Sequence, residues 1–281
     1  MPLLFLAILA LVQGLTELLP ISSSAHLILT WEVFGRLDQP VDLGPGQELV
    51  LDIAGHVGTL LAICLYFWRD LAAMAAAALR LLVGRYDQRS RLLVLVLVSA
   101  IPAGIAGVLL QDAIANHLRL VEIIAWTQVI FALLLFAADR IGMTIRKIDH
   151  LRLSDALVVG CAQALALIPG TSRSGITMTA GRFLGLERSE AARFSFLIAI
   201  PTIAGAGALG GWELYKTGSA ALGLDALITA TLSLVASLAA LAFLMAWVRR
   251  QSFSIFVVYR LLLGGVLLWL VYSGLLESLR F

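Results

Sequence analysis

Apolar residues run along most of this chain in stretches long enough to cross a lipid bilayer. A bilayer core is about 30 Å thick, and a helix of about 20 residues spans it. Six stretches meet this length: residues 49–68, 92–110, 121–138, 190–212, 222–247 and 254–276. The pattern therefore predicts an all-α polytopic membrane protein.

Two further apolar segments are interrupted by proline. Residues 3–30 are broken at Pro20, and residues 153–185 are broken at Pro169. Each arm is too short to span comfortably, so each segment is predicted to form a re-entrant helical hairpin. A membrane tolerates such a break where protein or a water-filled cavity surrounds it. The apolar N-terminus lacks the basic residues that precede a signal-peptide core, so we expect it to belong to the mature fold.

Along the chain, a hairpin is followed by three spans, and this order then repeats once. We predict a single membrane domain over residues 1–281, with a first repeat at 1–140 and a second at 153–276. When the two hairpins are aligned on their prolines, LPISSSAH stands over IPGTSRSG. Because three is an odd number, the second half must enter the membrane from the opposite side, which is the inverted-repeat architecture.

The basic residues favour one orientation. Loops assigned to one side carry thirteen of them, whereas the other side has four: Arg36, Arg119, Lys216 and Arg280. By the positive-inside rule the richer side is cytoplasmic, so both termini are expected on the outer, periplasmic side, and the hairpin tips meet near mid-membrane. The net charge of +2 is too small to indicate a nucleic-acid partner. The thirteen are Arg69, Arg80, Arg85, Arg89, Arg91, Arg140, Arg146, Lys147, Arg152, Arg188, Arg193, Arg249 and Arg250.

Ionisable groups inside apolar segments mark function by default. Gln13 and Glu17 are four residues apart, so they share a helix face just before Pro20. Glu17 is a candidate functional carboxylate, and it is also a candidate structural partner of Arg173. The two interpretations are compatible.

The first hairpin carries a run of three serines and a histidine, Ser22, Ser23, Ser24 and His26. A helix that begins here would expose free N–H groups and the positive end of its dipole, which suits phosphate. The alternatives are plain helix capping for any one serine and a satisfied core residue for His26.

The second hairpin offers Arg173 between hydroxyl and glycine residues. The planar guanidinium can hold phosphate oxygens with two hydrogen bonds, and glycine lets the backbone approach closely. Arg182, further along, is expected to reach the cytoplasmic interface by snorkelling. The candidate phosphate-binding residues here are Thr171, Ser172, Ser174, Gly175 and Thr177.

Asp52 and His56 are also four residues apart, in the first full span. They are predicted either to support the site's ligands or to form a further ligand pair, with structural hydrogen bonding as an equal alternative. Cys64 and Cys161 lack partners at metal-ligand spacing and are interpreted as packing residues. The whole set suits a phosphate ester or diphosphate together with a divalent cation held by oxygen ligands.

Three segments resemble the signature motifs of the bacterial undecaprenyl-pyrophosphate phosphatase family, also called the bacitracin-resistance family. They are QGLTE (13–17), PISSSAH (20–26) and PGTSRSG (169–175). The similarity covers nearly the whole chain and includes LDIAGHVGTLLAI (51–63) and RFSFLIAIP (193–201). The family writes its first motif as Glu or Gln, three residues, then Glu. Gln13 takes the Gln form, which argues against a metal site with two glutamates.

The resemblance implies hydrolysis of the terminal phosphate of undecaprenyl diphosphate, which regenerates the carrier lipid of cell-wall synthesis. It also implies a site open to the outer face of the bacterial cytoplasmic (inner) membrane and a need for Mg²⁺ or Ca²⁺. We expect Arg173 to hold the distal phosphate, Glu17 with Gln13 to position an ion or water, Ser23 to act as nucleophile or phosphate donor, and His26 to act as base or leaving-group acid.

A different class of function is an inverted-repeat transporter or lipid flippase, since broken helices that meet at the midplane are typical of transporters. Phosphate release by purified protein in detergent separates the two classes. Association into a homodimer is left open.

Overall fold

The computed structural model describes residues 1–35, 46–118, 120–217 and 219–274. Within these ranges the chain forms eleven α-helices, joined in two places by the short 3₁₀ turns Ile148–His150 and Leu165–Leu167. The helices are α1 Leu3–Leu18, α2 Ser23–Gly35, α3 Gln47–Tyr66, α4 Trp68–Leu82, α5 Gln88–His117, α6 Val121–Ile141, α7 Leu153–Ala164, α8 Arg173–Phe183, α9 Arg188–Thr217, α10 Ala220–Trp247 and α11 Ser254–Tyr272.

The predicted all-α polytopic class is confirmed. Six helices in the described ranges are long and apolar enough to cross a membrane: α3, α5, α6, α9, α10 and α11. They correspond one to one with the six predicted spans. The predicted end of the last span at residue 276 lies outside the described residues, which stop at 274.

Helix α4 is an element that the apolar pattern did not predict. It occupies most of the loop that was expected at 69–91. One face packs inward through Met74 and Ala77, while Leu79 and Leu82 are exposed. At 15 residues, with Asp70 in its first turn and Arg80 in its last, the helix is too short and too interrupted by charge to be predicted as a span.

The two broken segments form hairpins of two short helices, α1 with α2 and α7 with α8. The first extends to Gly35, beyond its predicted end at 30. Glu17, at the end of α1, lies beside His56 near the middle of the spanning helix α3. The tip of the first hairpin therefore reaches the middle of the helical layer.

Small residues let the arms of the hairpins lie close to full spans. A side chain at Gly14 of α1 would meet Ser233 O and Ala236 Cβ of α10, each at 2.7 Å, and one at Gly160 of α7 would meet Ser99 O of α5 at 2.6 Å. The first arm of each hairpin, α1 or α7, thus packs against a span from the other half. The inverted orientation of the halves stays a prediction, with which this exchange is consistent.

The loops that carry most of the basic residues lie together at one end of the bundle. Arg193 Nη2 donates to Asp70 Oδ1 at 2.5 Å, and Arg188 Nε donates to Asp139 Oδ1 at 2.6 Å. Nearby, the backbone N–H of Ser90 and the Arg80 guanidinium hold the pKa of Asp87 at about 2. These contacts tie together loops that are far apart in sequence.

The snorkelling predicted for Arg182 is wrong. Its side chain is 1% exposed and donates to Leu186 O and to Gly142 O, with Asp139 Oδ1 3.3 Å from Nε. A carboxylate 43 positions away in sequence satisfies the guanidinium inside the protein, so it has no need to extend toward water.

Candidate active site

The two helix breaks have the same local geometry. Ser22 and Ser172 both adopt positive φ, at 75° and 70°, in the left-handed region that non-glycine residues seldom occupy. Ser22 Oγ accepts a hydrogen bond from the N–H of Ala25 (3.4 Å), and Ser172 Oγ accepts one from the N–H of Gly175 (3.1 Å). Each serine therefore caps the helix that follows it.

This equivalence corrects the predicted alignment of the hairpins by one residue. Alignment on the prolines set Ser23 against Ser172, but the caps set Ser22 against Ser172 and Ser23 against Arg173. The second loop has one residue more between its proline and its cap. Ser23 and Arg173 are consequently the first residues of α2 and α8.

The hairpin tips are bonded to each other through the next residue of each helix. Ser24 Oγ accepts from the N–H of Gly170 at 3.4 Å. Ser174 Oγ lies 3.0 Å from Leu19 O and 3.2 Å from Glu17 O, and it can donate to either carbonyl. Both serines were predicted to bind phosphate, yet their hydroxyls are engaged between the hairpins.

The carboxylate of Glu17 is the centre of the site. Oε1 accepts from Arg173 Nη2 at 2.5 Å, and Oε2 accepts from Gln13 Nε2 at 3.1 Å and from the Ser23 hydroxyl. The Glu17 side chain is 5% exposed. The predicted meeting of an acid and a guanidinium from the two chain breaks is therefore confirmed.

His56 contacts this carboxylate directly, with Nε2 at 3.3 Å from Glu17 Oε2. Its Nδ1 donates to Asp52 O at 2.7 Å, so the favourable contact at Nε2 requires a proton between the imidazole and the carboxylate. Asp52 itself accepts from Trp31 Nε1 at 2.9 Å. Of this predicted pair, His56 thus joins the centre of the site and Asp52 supports it.

His26 is bonded to a different neighbour. Its Nδ1 donates to Ser22 O, and its Nε2 is hydrogen-bonded to the hydroxyl of Tyr259, both at 2.6 Å. The two rings also stack, with centroids 5.7 Å apart. Sequence reasoning missed Tyr259, because a single tyrosine in an apolar span gives no signal of its own.

The other predicted residues of the second hairpin are buried. Thr177 Oγ1 donates to Arg173 O at 2.8 Å and is bonded to Ser195 Oγ at 2.6 Å, so it serves packing within α8 and against α9. Thr171 is fully buried, and its Oγ1 lacks a hydrogen-bond partner in the described structure. Gly175 lies against the guanidinium of Arg260, to which sequence reasoning gave no role.

Residues 6–266 match the family model described as bacitracin resistance protein BacA. The chain belongs to the BacA family. It is 47% identical to undecaprenyl-diphosphatase 1 of Rhodospirillum rubrum over 98% of this chain and 97% of that protein. It is 46% identical to the undecaprenyl-diphosphatase of Jannaschia sp. over 97% and 100%, and 47% identical to that of Hahella chejuensis over 94% and 97%.

The oxygen donors of this BacA-family site fit a cation shared with a substrate. Gln13 Oε1 is buried beside the Glu17 carboxylate, and none of the described residues forms a hydrogen bond with it. Across the described ranges, His, Cys, Asp and Glu do not gather in threes that could hold a metal by themselves. Mg²⁺ is commonly held by one or two carboxylates and completed by substrate phosphates and water. One amide oxygen and one carboxylate match that kind of site.

The buried pair of Glu17 and Arg173 should show strong energetic coupling. We expect Glu17→Gln and Arg173→Gln each to destabilise the BacA-family protein, because each leaves a charged group without its partner. The double variant should be less destabilised than the sum, with a coupling of about 1–3 kcal/mol.

Denaturant unfolding in detergent micelles measures this cycle. The exposed pair of Arg80 and Asp87 is the matched control, and water around it should make its coupling smaller. Additive effects of Glu17 and Arg173 would show that their contact does not stabilise the site.

Proposed function

We propose that this chain hydrolyses undecaprenyl diphosphate to undecaprenyl phosphate and inorganic phosphate, and so returns the carrier lipid to peptidoglycan synthesis. One observation carries the proposal: Glu17 bonds the hydroxyl of Ser23 from one helix break and the guanidinium of Arg173 from the other. A nucleophile, a base and an anion-binding cation thus share one partly enclosed site. The substrate comes from the relatives at 46–47% identity, which are undecaprenyl-diphosphatases.

Ser23 is the nucleophile in this proposal. Its hydroxyl donates to Glu17, which is itself held by Gln13, Arg173 and His56. A nucleophile bonded to a base that a third group orients is the usual arrangement for covalent catalysis. Ser23 Oγ bonds to the terminal phosphorus while the bond from that phosphorus to the bridging oxygen breaks. Undecaprenyl phosphate leaves, and the serine proton passes to Glu17.

Water completes the cycle. Its oxygen attacks the phosphorus of the phosphoserine, the Oγ–P bond breaks, and inorganic phosphate is released as Ser23 regains a proton. Glu17 serves both steps, first as the base that takes the Ser23 proton and then as the acid that returns it to Ser23 Oγ, while a proton of the attacking water passes to His26. We retain His26 as a second proton-transfer group that acts through Nε2, since Ser22 O occupies its Nδ1.

The charge of the transferring phosphoryl group is met by Arg173 and by the helix starts. The first N–H groups of α2 and α8 have no acceptor within their own helices and favour an anion. Glu17 and Gln13 would hold a Mg²⁺ or Ca²⁺ ion. That ion supplies further neutralisation of phosphate charge.

The proposal also includes a setting in the membrane. The prenyl tail lies among the helices in the bilayer, and the diphosphate binds beside Glu17 at the hairpin tips. The clustered basic loops support a cytoplasmic side opposite the site's opening, with both termini and that opening periplasmic in the inner membrane. Self-association into a homodimer remains a separate expectation.

Loss of either partner in the central ion pair should abolish most turnover. We expect Glu17→Ala and Arg173→Ala each to lower phosphate release from a polyprenyl diphosphate by more than about a hundredfold, because each removes transition-state stabilisation. The assay uses purified protein in detergent micelles, where a transporter has no gradient to act on.

The exposed Arg250 offers a control for loss of an arginine, and Arg250→Ala should keep near-normal release. Near-normal release by either site variant would reject its assigned role. A wild-type protein without phosphatase activity would reject the function as a whole.

A phosphorylated Ser23 should be detectable during turnover. Rapid quenching with a substrate labelled in the terminal phosphate is expected to trap label on the wild-type protein and none on Ser23→Ala. Ser24→Ala is the matched control, and it should still be labelled because its hydroxyl bonds Gly170 and Ser22 rather than Glu17. Full turnover with no trapped label at any quench time would favour direct attack by water.

The ion requirement should depend on the residue at position 13. Chelation is expected to remove activity, and added Mg²⁺ or Ca²⁺ should restore it. Gln13→Glu adds a second carboxylate four residues from Glu17, so it should lower the ion concentration for half-maximal activity by about tenfold, as ligand charge increases affinity. An unchanged ion dependence in this variant would show that residue 13 does not face the ion.

A further inference from the structure

Arg260 of α11 is a buried cation whose partners are all neutral. Its exposed fraction is 0%. Nη2 donates to Gly170 O at 2.8 Å and Thr171 O at 3.0 Å, and Nε donates to Gln128 Oε1 at 2.8 Å. Its longer contacts reach Pro20 O and Thr127 O. Within the described structure, its hydrogen-bond acceptors are carbonyl and amide oxygens.

These acceptors belong to both helix breaks. Arg260 reaches Pro20 O in the first break and Gly170 O and Thr171 O in the second. Gln128 of α6 also bonds this region, because its Nε2 donates to Ile21 O at 3.0 Å. We call Arg260 and Gln128 together the Arg260 node. One side chain from α11 and one from α6 therefore hold the carbonyls of the two loops that the Glu17 site joins.

The Arg260 node affects which backbone polar groups of the two loops face a bound anion. Carbonyl oxygens repel an anion, whereas the N–H groups at the starts of α2 and α8 attract one. Bonding the loop carbonyls to Arg260 and Gln128 keeps them directed at the node. The Arg260 charge is also not cancelled by a carboxylate, while Arg173 is bonded to Glu17.

Gly175 shows how closely the guanidinium approaches the second helix start. A Cβ on Gly175 would lie 2.9 Å from Arg260 Nη1. The first turn of α8 therefore packs directly on the cation. A substituted residue there would displace the guanidinium or the helix start.

We infer that Arg260, oriented by Gln128, is a positioning residue for the diphosphate group: it directs the loop carbonyls away from the phosphates and supplies uncancelled positive charge behind them. This inference rests on the proposed function, since it assigns the node to the same site. It predicts that substitution of Arg260 reduces the free energy of diphosphate binding by more than it reduces the free energy of unfolding.

The test is the affinity of the full chain in detergent for inorganic pyrophosphate, measured by calorimetry on folded protein. Arg260→Lys keeps a charge but loses the planar fork, so we expect binding to weaken by about tenfold or more. Arg182→Lys is the matched control, since Arg182 is also buried and also donates to backbone carbonyls. It should keep the wild-type affinity within about twofold. Thermal midpoints without ligand report the structural cost of both changes.

Gln128→Met provides a second route, because it removes the acceptor of Arg260 Nε and the donor to Ile21 O while preserving the cation. It should also weaken pyrophosphate binding, and it replaces Arg260→Lys as the deciding variant if that protein does not fold. Wild-type affinity in the folded variants would overturn the inference, as would a wild-type chain that binds no pyrophosphate. A wild-type chain that binds pyrophosphate but releases no phosphate from a polyprenyl diphosphate would instead overturn the proposed function.

Discussion

A lipid bilayer offers no hydrogen-bond donors to a carbonyl that is freed where a helix breaks, so each such carbonyl must find its donor within the protein. In this chain the requirement arises twice at the same depth, and the two breaks satisfy it jointly. The donors come from the opposite hairpin and from two unbroken spans: Ser174 for Leu19 O, Arg260 for Pro20 O, Gln128 for Ile21 O, Thr127 for Pro169 O, and Arg260 again for Gly170 O and Thr171 O.

This constraint brings the chemistry together. Once the tips are bonded to each other and to α6 and α11, the first residues of α2 and α8 are fixed on either side of Glu17. Ser23 and Arg173 then reach its two carboxylate oxygens without long or flexible linkers. The hydroxyls of Ser24 and Ser174, which were predicted to bind phosphate, bond the two hairpins to each other and so hold the geometry around Ser23 and Arg173.

Sequence reasoning predicted the parts of the fold that depend on local pattern. Uninterrupted apolar length predicts the spans, and a proline followed by serines predicts the hairpins. The contact between Glu17 and Arg173 could therefore be predicted from the sequence. It failed where contacts between residues distant in sequence determine the structure. The one-residue difference between the loops, the carboxylate that keeps Arg182 inside, and the contact of His56 with Glu17 all depend on packing between helices. Arg260 is a cation in an apolar span, but its acceptors are backbone carbonyls and the amide oxygen of Gln128, which no sequence pattern marks.

The two equivalent helix caps also place different residues on the two sides of Glu17. Ser23 and Arg173 occupy the same register position in their two breaks, so identical residues there would offer the carboxylate either two hydroxyls or two cations. The difference at this single position makes the two sides of the Glu17 carboxylate chemically distinct. In the proposed function the terminal phosphorus of the diphosphate meets Ser23 while Arg173 holds the oxygens of the same phosphoryl group, so only one orientation of the diphosphate is productive. In the proposed function, regioselectivity between the outer and inner phosphate therefore arises from the different residues at this one position, and recognition of the substrate's length is not required for it.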